Sequence, residues 1–225
     1  MLRFLIFVSA GFIPFPLLAA SSRPLEITVN MKIDVDGAPN AYGPKGKKAL
    51  DYERNAHEGA RASGRIVGYL TRNDGTPELQ GRHDPFLGYY ISTTGFCDQA
   101  NPNPRDPRRY VNASKVNYVV LADIAKENGV VLGDFVAVYS KKTHRAVFGI
   151  IGDSGNPDGA EGSLALLRAL GYHFKNGKSG EAEKEIVIRY FPGSNPEHRF
   201  YQTQAQINKR ARALGLSKKF SPRQR

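Results

Sequence analysis

The alternation of apolar and polar residues in LEITVNMKIDVDG (25–37) predicts a strand that closes on an Asp36-Gly37 turn. The loop APNAYGPKG follows, and KALDYERNAHEGA is expected to form a short helix ending near Gly59. RIVGYL (65–70) and LGYYISTT (87–94) read as strands on either side of a turn at Asn73-Asp74-Gly75. DQANPNPRDPRRY holds three prolines and reads as an exposed connection, after which VNYVVLA resumes strand character. DIAKENG predicts one or two helical turns stopped by Gly129. VVLGDFVAVYS, KKTHR and AVFGIIGD then read as strand, tight connection and fully apolar second strand. NPDGAEG reads as a loop, Ser163 as the N-cap of LALLRAL, and KEIVIRYF as a late strand. No internal repeat interrupts this order. The pattern predicts a single mainly β (α+β) domain with short helices.

Composition supports that picture and adds two flanks. A chain of 225 residues with 40% hydrophobic and 24% charged residues buries a core without help from disulfides. Cys97 is the only cysteine and is expected to be a small packing residue. MLRFLIFVSAGFIPFPLLAASS has one early cation, an apolar run and small residues at 19–22. Residues 1–21 therefore read as a signal peptide, which predicts a secreted protein, extracellular or periplasmic, with no stable membrane insertion after cleavage. The net charge of +11 at first suggests nucleic acid. However, the tail 209–225 carries seven Lys/Arg and no acid, so the basic character belongs mostly to a solvated appendage beyond a domain at 22–208. No nucleic-acid partner is expected, and a monomer is.

The chemistry centres on IIGDSGNPDGAEGS (150–163). Gly152-Asp153-Ser154-Gly155 imitates the surroundings of a serine-protease nucleophile. Only 88 residues separate Ile66 from Ser154, too few for two protease barrels, and neither His83 nor His144 has the expected neighbours. The carboxylates Asp153 and Glu161 remain. They bracket a Gly-rich loop, and a pair of acids is what glycoside hydrolysis uses. A calcium loop or a plain solvated turn is the alternative at this level. Asp36, within DVDG, lacks the later acid of an EF-hand, so no metal and no cofactor are expected.

The run 131–171 resembles the fungal-type chitosanases of glycoside hydrolase family 75, in which a strand ends in Gly-Asp-x-Gly-Pro and a Gly-Glu-Gly-Ser-x-Ala-Leu element follows. DGAPNAYGP (36–44), DPFLGYYISTT (84–94), RYVNASKVNYVVL (109–121) and YFPGS (190–194) match in the same order, so the resemblance spans about residues 30–195. Here the proline is displaced to Pro157, and Ala160 stands where the family has glycine before the glutamate. The resemblance implies endo-hydrolysis of chitosan with inversion, and a catalytic pair at Asp153 and Glu161. By analogy, the strand–loop–helix passage at 146–170 is similar to that of double-psi barrels, which gives the expected architecture as a small barrel of that kind.

Physical reasoning divides the roles. Burial at the end of an apolar strand should raise the pKa of Asp153 and suit it as the general acid. A helix N-terminus beside Glu161 should keep it ionised as the base. A polycationic substrate calls for further carboxylates and hydrogen-bonding groups, for which the candidates are Asp34, Asp36, Tyr42, Tyr89, Tyr90, Ser92 and Thr94. Tyr89 and Tyr90 are neighbours on an extended segment, so only one is expected to offer a stacking face. The rival readings are a cell-wall polysaccharide-binding protein without turnover, and an anionic-polymer binder acting through the basic tail.

Overall fold

A computed structural model of the chain describes residues 24–178 and 180–220. The expected signal peptide at 1–21 lies outside the described residues. Six strands close into a barrel: β1 (Glu26–Asp34), β2 (Tyr118–Val120), β3 (Phe135–Ser140), β4 (Ala146–Asp153), β5 (Glu161–Ser163) and β6 (Glu181–Phe191). Their order around the barrel is β1-β5-β2-β4-β3-β6. The expected small, mainly β barrel with short helices is the fold. Two of its pairings, β1 with β5 and β2 with β4, are parallel, and the others are antiparallel. Closure leaves no sheet edge for a chain of this size to protect.

β3 and β4 form the hairpin that their sequence predicts, from Phe135↔Ile150 to Tyr139↔Ala146. Ile150 and Ile151 are adjacent yet both fully buried, because the strand is covered on both sides. Of the three helices, α1 (Asp123–Glu127), α2 (Leu164–Ala169) and α3 (Gln204–Ala213), the last two pack against this strand. The Ser163 hydroxyl caps α2 by accepting from the Leu166 N–H at 3.0 Å, and it donates to the Val116 carbonyl at 2.8 Å. Leu164, Leu166 and Leu167 are thereby fixed against the barrel, each fully buried and worth about 1.5–3 kcal/mol of removed apolar surface.

Three expectations need correction. First, 65–70 and 87–94 are not ladder strands. They meet other segments only at isolated bridges, Tyr69↔Ser92, Leu79↔Tyr90 and His57↔Ile66. Backbone bonds there are scattered rather than laddered, as from the Leu70 N–H to Ile91 and from the Ile91 N–H to Glu78, and side chains add to them: the Gln80 amide donates to the Pro39 and Tyr90 carbonyls, and the Ser92 hydroxyl serves Gly37 and Gly68. Second, the helix expected near 48–60 is two 3-10 turns, Glu53–Ala56 and Glu58–Ala60: His57 between them is extended, and Gly59 and Ala60 adopt positive φ, which ends the second.

Third, the boundary drawn at 208/209 falls inside α3. Thr203 and Gln206 form a capping box at its start, and Ile207 and Ala211 are fully buried beneath it. The Gln204 amide oxygen accepts from the Asn117 N–H at 2.8 Å, while its NH2 donates to the Phe148 carbonyl at 3.0 Å. Arg189 then straps the following segment down. It pairs with Glu26 at 2.7 Å, donates to the carbonyls of Ser217 and Lys219, and lies over the Phe220 ring. Residues 209–220 belong to the domain rather than to a solvated tail. Among the described residues no helix is long and apolar enough to cross a membrane.

Candidate active site

Asp34 ends β1, Asp36 lies in the turn after it, and Asp153 ends β4. Barrel closure brings them together, so that an oxygen of each lies within 4.8 Å of the other two. Their surroundings are specific. Asp34 Oδ1 accepts from the Asp36 N–H at 2.8 Å, and Asp36 Oδ1 accepts from the Tyr42 hydroxyl at 2.6 Å. Asp153 Oδ1 accepts from the N–H groups of Gly95 and Ser154, both at 2.8 Å. The Tyr118 hydroxyl donates to the Asp36 carbonyl at 3.0 Å. Tyr118 reaches that point because Gly152 has no side chain: a Cβ there would stand 2.5 Å from the ring. The Gly68 backbone closes over Asp36, where a Cβ would sit 3.0 Å from both carboxyl oxygens.

No ion pair within the described residues neutralises these carboxyls. Burial, together with the charges of Asp153 and Glu161, raises the proton affinity of Asp34 well above the usual carboxylate range. Asp36 is raised for the same reasons, by burial first and then by Asp34 and Asp153. Asp153, only 8% exposed, is pushed up to about 7 by burial, against the pull of its two N–H donors. The charge of Asp153 raises both Asp34 and Asp36, and that of Asp34 raises Asp36, so the titrations of the three are linked. A hard divalent cation would find carboxylate ligands at these three residues, since Oδ1 of each accepts a hydrogen bond from the protein while Oδ2 accepts none among the described residues.

Glu161 is the first residue of β5, not part of a loop as expected, and it stands opposite Lys32 in the parallel register with β1. Burial raises its pKa, while a hydrogen bond from Asn156 and the Lys32 charge oppose the shift. This corrects the expectation that a helix N-terminus keeps Glu161 ionised: Lys32 and Asn156 favour its charge, and burial outweighs them. Its charge in turn raises the proton affinity of Asp153.

The remaining candidates divide by what they touch. Tyr42 is buried and supports Asp36. The Ser92 hydroxyl accepts from the Gly37 N–H and donates to the Gly68 carbonyl, which fixes the turn carrying Asp36. Thr94 accepts from the Val111 N–H and donates to the Phe96 carbonyl, bracketing the Gly95 N–H that holds Asp153. Both hydroxyls are engaged and buried, so neither is free to meet a ligand. Tyr90 is a core residue whose ring lies tilted against Tyr69 at 4.8 Å, whereas Tyr89 is partly exposed, edge-on to Phe86 and beneath the Lys47 ammonium. Ser154 contributes its N–H to Asp153, which is the role of a turn residue. Sequence reasoning passed over Tyr118, Gly95, Asn156 and Lys32. Only Tyr118 left a signal: a tyrosine within a buried strand needs a partner for its hydroxyl.

The fold and site together define a closed six-stranded barrel carrying a cluster of three carboxyls, Asp153 buried and Asp34 and Asp36 half-buried, with a fourth acid beside it. No protein-family model matches the chain, and no curated protein does.

Proposed function

We propose that the chain is a secreted glycoside hydrolase that cleaves β-1,4 linkages within chitosan, working as a monomer by an inverting two-carboxylate mechanism. The observation that carries this reading is Asp153: a carboxyl that keeps its proton close to neutral pH, with a second acid, Glu161, near enough to sense its charge. A general acid must be protonated at the working pH and its partner ionised. Asp153 meets the first requirement through burial among Asp34 and Asp36. Glu161 meets the second more readily, because Lys32 and Asn156 stabilise its charged form. The acid protonates the departing glycosidic oxygen, and the base takes a proton from water attacking the opposite face of the sugar. Carboxyls without cation partners suit a polycationic substrate, and the resemblance of residues 30–195 to family 75 chitosanases points the same way.

The rate should follow a bell-shaped pH dependence whose alkaline limb lies near pH 7, where Asp153 loses its proton. The acid limb should lie above the ordinary glutamate range, since Glu161 is raised. Initial rates on soluble chitosan between pH 4 and 9 check this; a rate that stays flat through pH 7 and above contradicts Asp153 as the acid. The depth of Asp153, 8% exposed, favours a second reading, a polysaccharide-binding protein on the same barrel without turnover. Binding to chitosan without release of reducing ends would establish that reading instead.

A further inference from the structure

A groove of about 730 Å³ opens beside Glu161, between β1 and the segment that precedes β5. It is continuous with the candidate site through three of its lining residues. Lys32 stands opposite Glu161 in the β1–β5 register, Asn156 hydrogen-bonds the Glu161 side chain, and Ala160 precedes it, its carbonyl accepting from the Lys32 N–H at 2.9 Å. The far wall is set in place by the Asp123 N–H, which donates to the Pro157 carbonyl at 2.8 Å and ties α1 to the loop.

The chemistry of this groove differs from that of the carboxyl cluster. Its charged residues are Asp123 and Asp158 on one side of the ledger and Lys32 and Lys184 on the other, so they balance. Asn30 and Asn156 add neutral hydrogen-bonding groups. Ile124, 45% exposed, and Pro157 supply an apolar surface. A cationic sugar here would meet Lys32 and Lys184, and an anionic one would meet Asp123 and Asp158. An uncharged ring avoids both conflicts: its C–H face suits Ile124 and Pro157, and its hydroxyl or acetamido edge suits the amides and carboxylates.

We propose that this groove binds uncharged pyranose units, N-acetylglucosamine included, of a chain that passes Glu161. The inference rests on the polysaccharide reading of the site and adds a preference that the acidic cluster alone would not give. The full chain carrying Asp153→Asn, to prevent turnover, is titrated with N-acetylchitotetraose and separately with its deacetylated counterpart. Backbone amide NMR follows Ile124, Asn156 and Asp158. The acetylated ligand should move these three amides, and Ile124→Ser or Asn30→Ala, both at exposed positions, should weaken its binding by roughly tenfold. Unmoved amides, unchanged affinity in both variants, or tighter binding of the deacetylated ligand at these amides would overturn the groove assignment. Hydrolysis of chitosan by the unmutated chain reports on the parent reading separately, so a hydrolase whose groove amides stay still loses only this inference.

Discussion

Asp153→Asn and Glu161→Gln should each lower the rate of chitosan hydrolysis by roughly 10²- to 10⁴-fold, the range that general acid–base groups supply. The two losses should differ in kind. Asn at 153 keeps an oxygen for the Gly95 and Ser154 N–H groups, so the fold around it survives while the proton to be donated is gone. Substrates whose leaving group needs no protonation should therefore recover much of their rate in Asp153→Asn. They should gain nothing in Glu161→Gln, where activation of water is missing. Reducing-end release from chitosan, compared with release from a glycoside bearing an acidic phenol, separates the two roles. Equal recovery in both variants would contradict the assignment of acid and base.

The second large effect is on stability. The Asp153 carboxyl has a folded-state pKa of about 7 against an ordinary value of 3.8. Below about pH 4 both folded and unfolded chains hold the proton. Between the two values the folded chain keeps a proton that the unfolded chain gives up, so stability falls as pH rises through this window and levels off above 7. At about 1.4 kcal/mol per pKa unit, the penalty at pH 8 is on the order of 4 kcal/mol. Asp153→Asn removes it. The variant should melt well above the unmutated protein at pH 8, at roughly 2–4 °C per kcal/mol for a domain of this size, with the gap narrowing toward pH 4. Asp34→Asn and Asp36→Asn should shift in the same direction, since both carboxyls are raised by burial and by their neighbours. Thermal melts at pH 4, 6 and 8 test this without any substrate. Parallel curves for variant and parent would show that these carboxyls do not hold their protons above the ordinary range.

A residue that becomes more stable when its titratable group is removed is one the fold tolerates rather than needs. Three clustered carboxyls raised by burial, with no cation partner among the described residues, are the kind of arrangement found at functional sites. Nothing in the barrel requires charge there: Tyr42, Ser92 and Gly68 are arranged to hold Asp36 in place, and Gly95 and Ser154 to hold Asp153.

The β3–β4 hairpin was legible residue by residue, because an apolar run, a short polar turn and a second apolar run leave one local solution. Asp153 was legible with it, as the acid where that strand ends. β5 was not. Three residues carry no periodicity of their own, and β5 is extended because β1 pairs with Glu161 and β2 with Gly162 from distant parts of the chain. The gathering of Asp34 and Asp36 around Asp153 was hidden for the same reason, since only closure of the barrel brings residues so far apart in sequence into contact. Residues 65–70 and 87–94 read as strands because their aromatic and β-branched residues are spaced as in one. Frequent glycines and prolines around them break the pairing into single bridges, and the backbone bonds are scattered over several partners, with the Gln80, Ser92 and Thr94 side chains adding cross-links. In α3 the signal was present in Thr203-Gln-Ala-Gln206, a capping-box spacing, and the basic run after it drew attention to charge instead.

The most direct test of the central claim is reducing-end release by the unmutated chain from chitosan, chitin, cellulose and peptidoglycan, measured side by side at pH 6. The account expects chitosan to be cleaved fastest, with both Asp153→Asn and Glu161→Gln near background. Binding to chitosan with no release of reducing ends, or full activity in either variant, would contradict it.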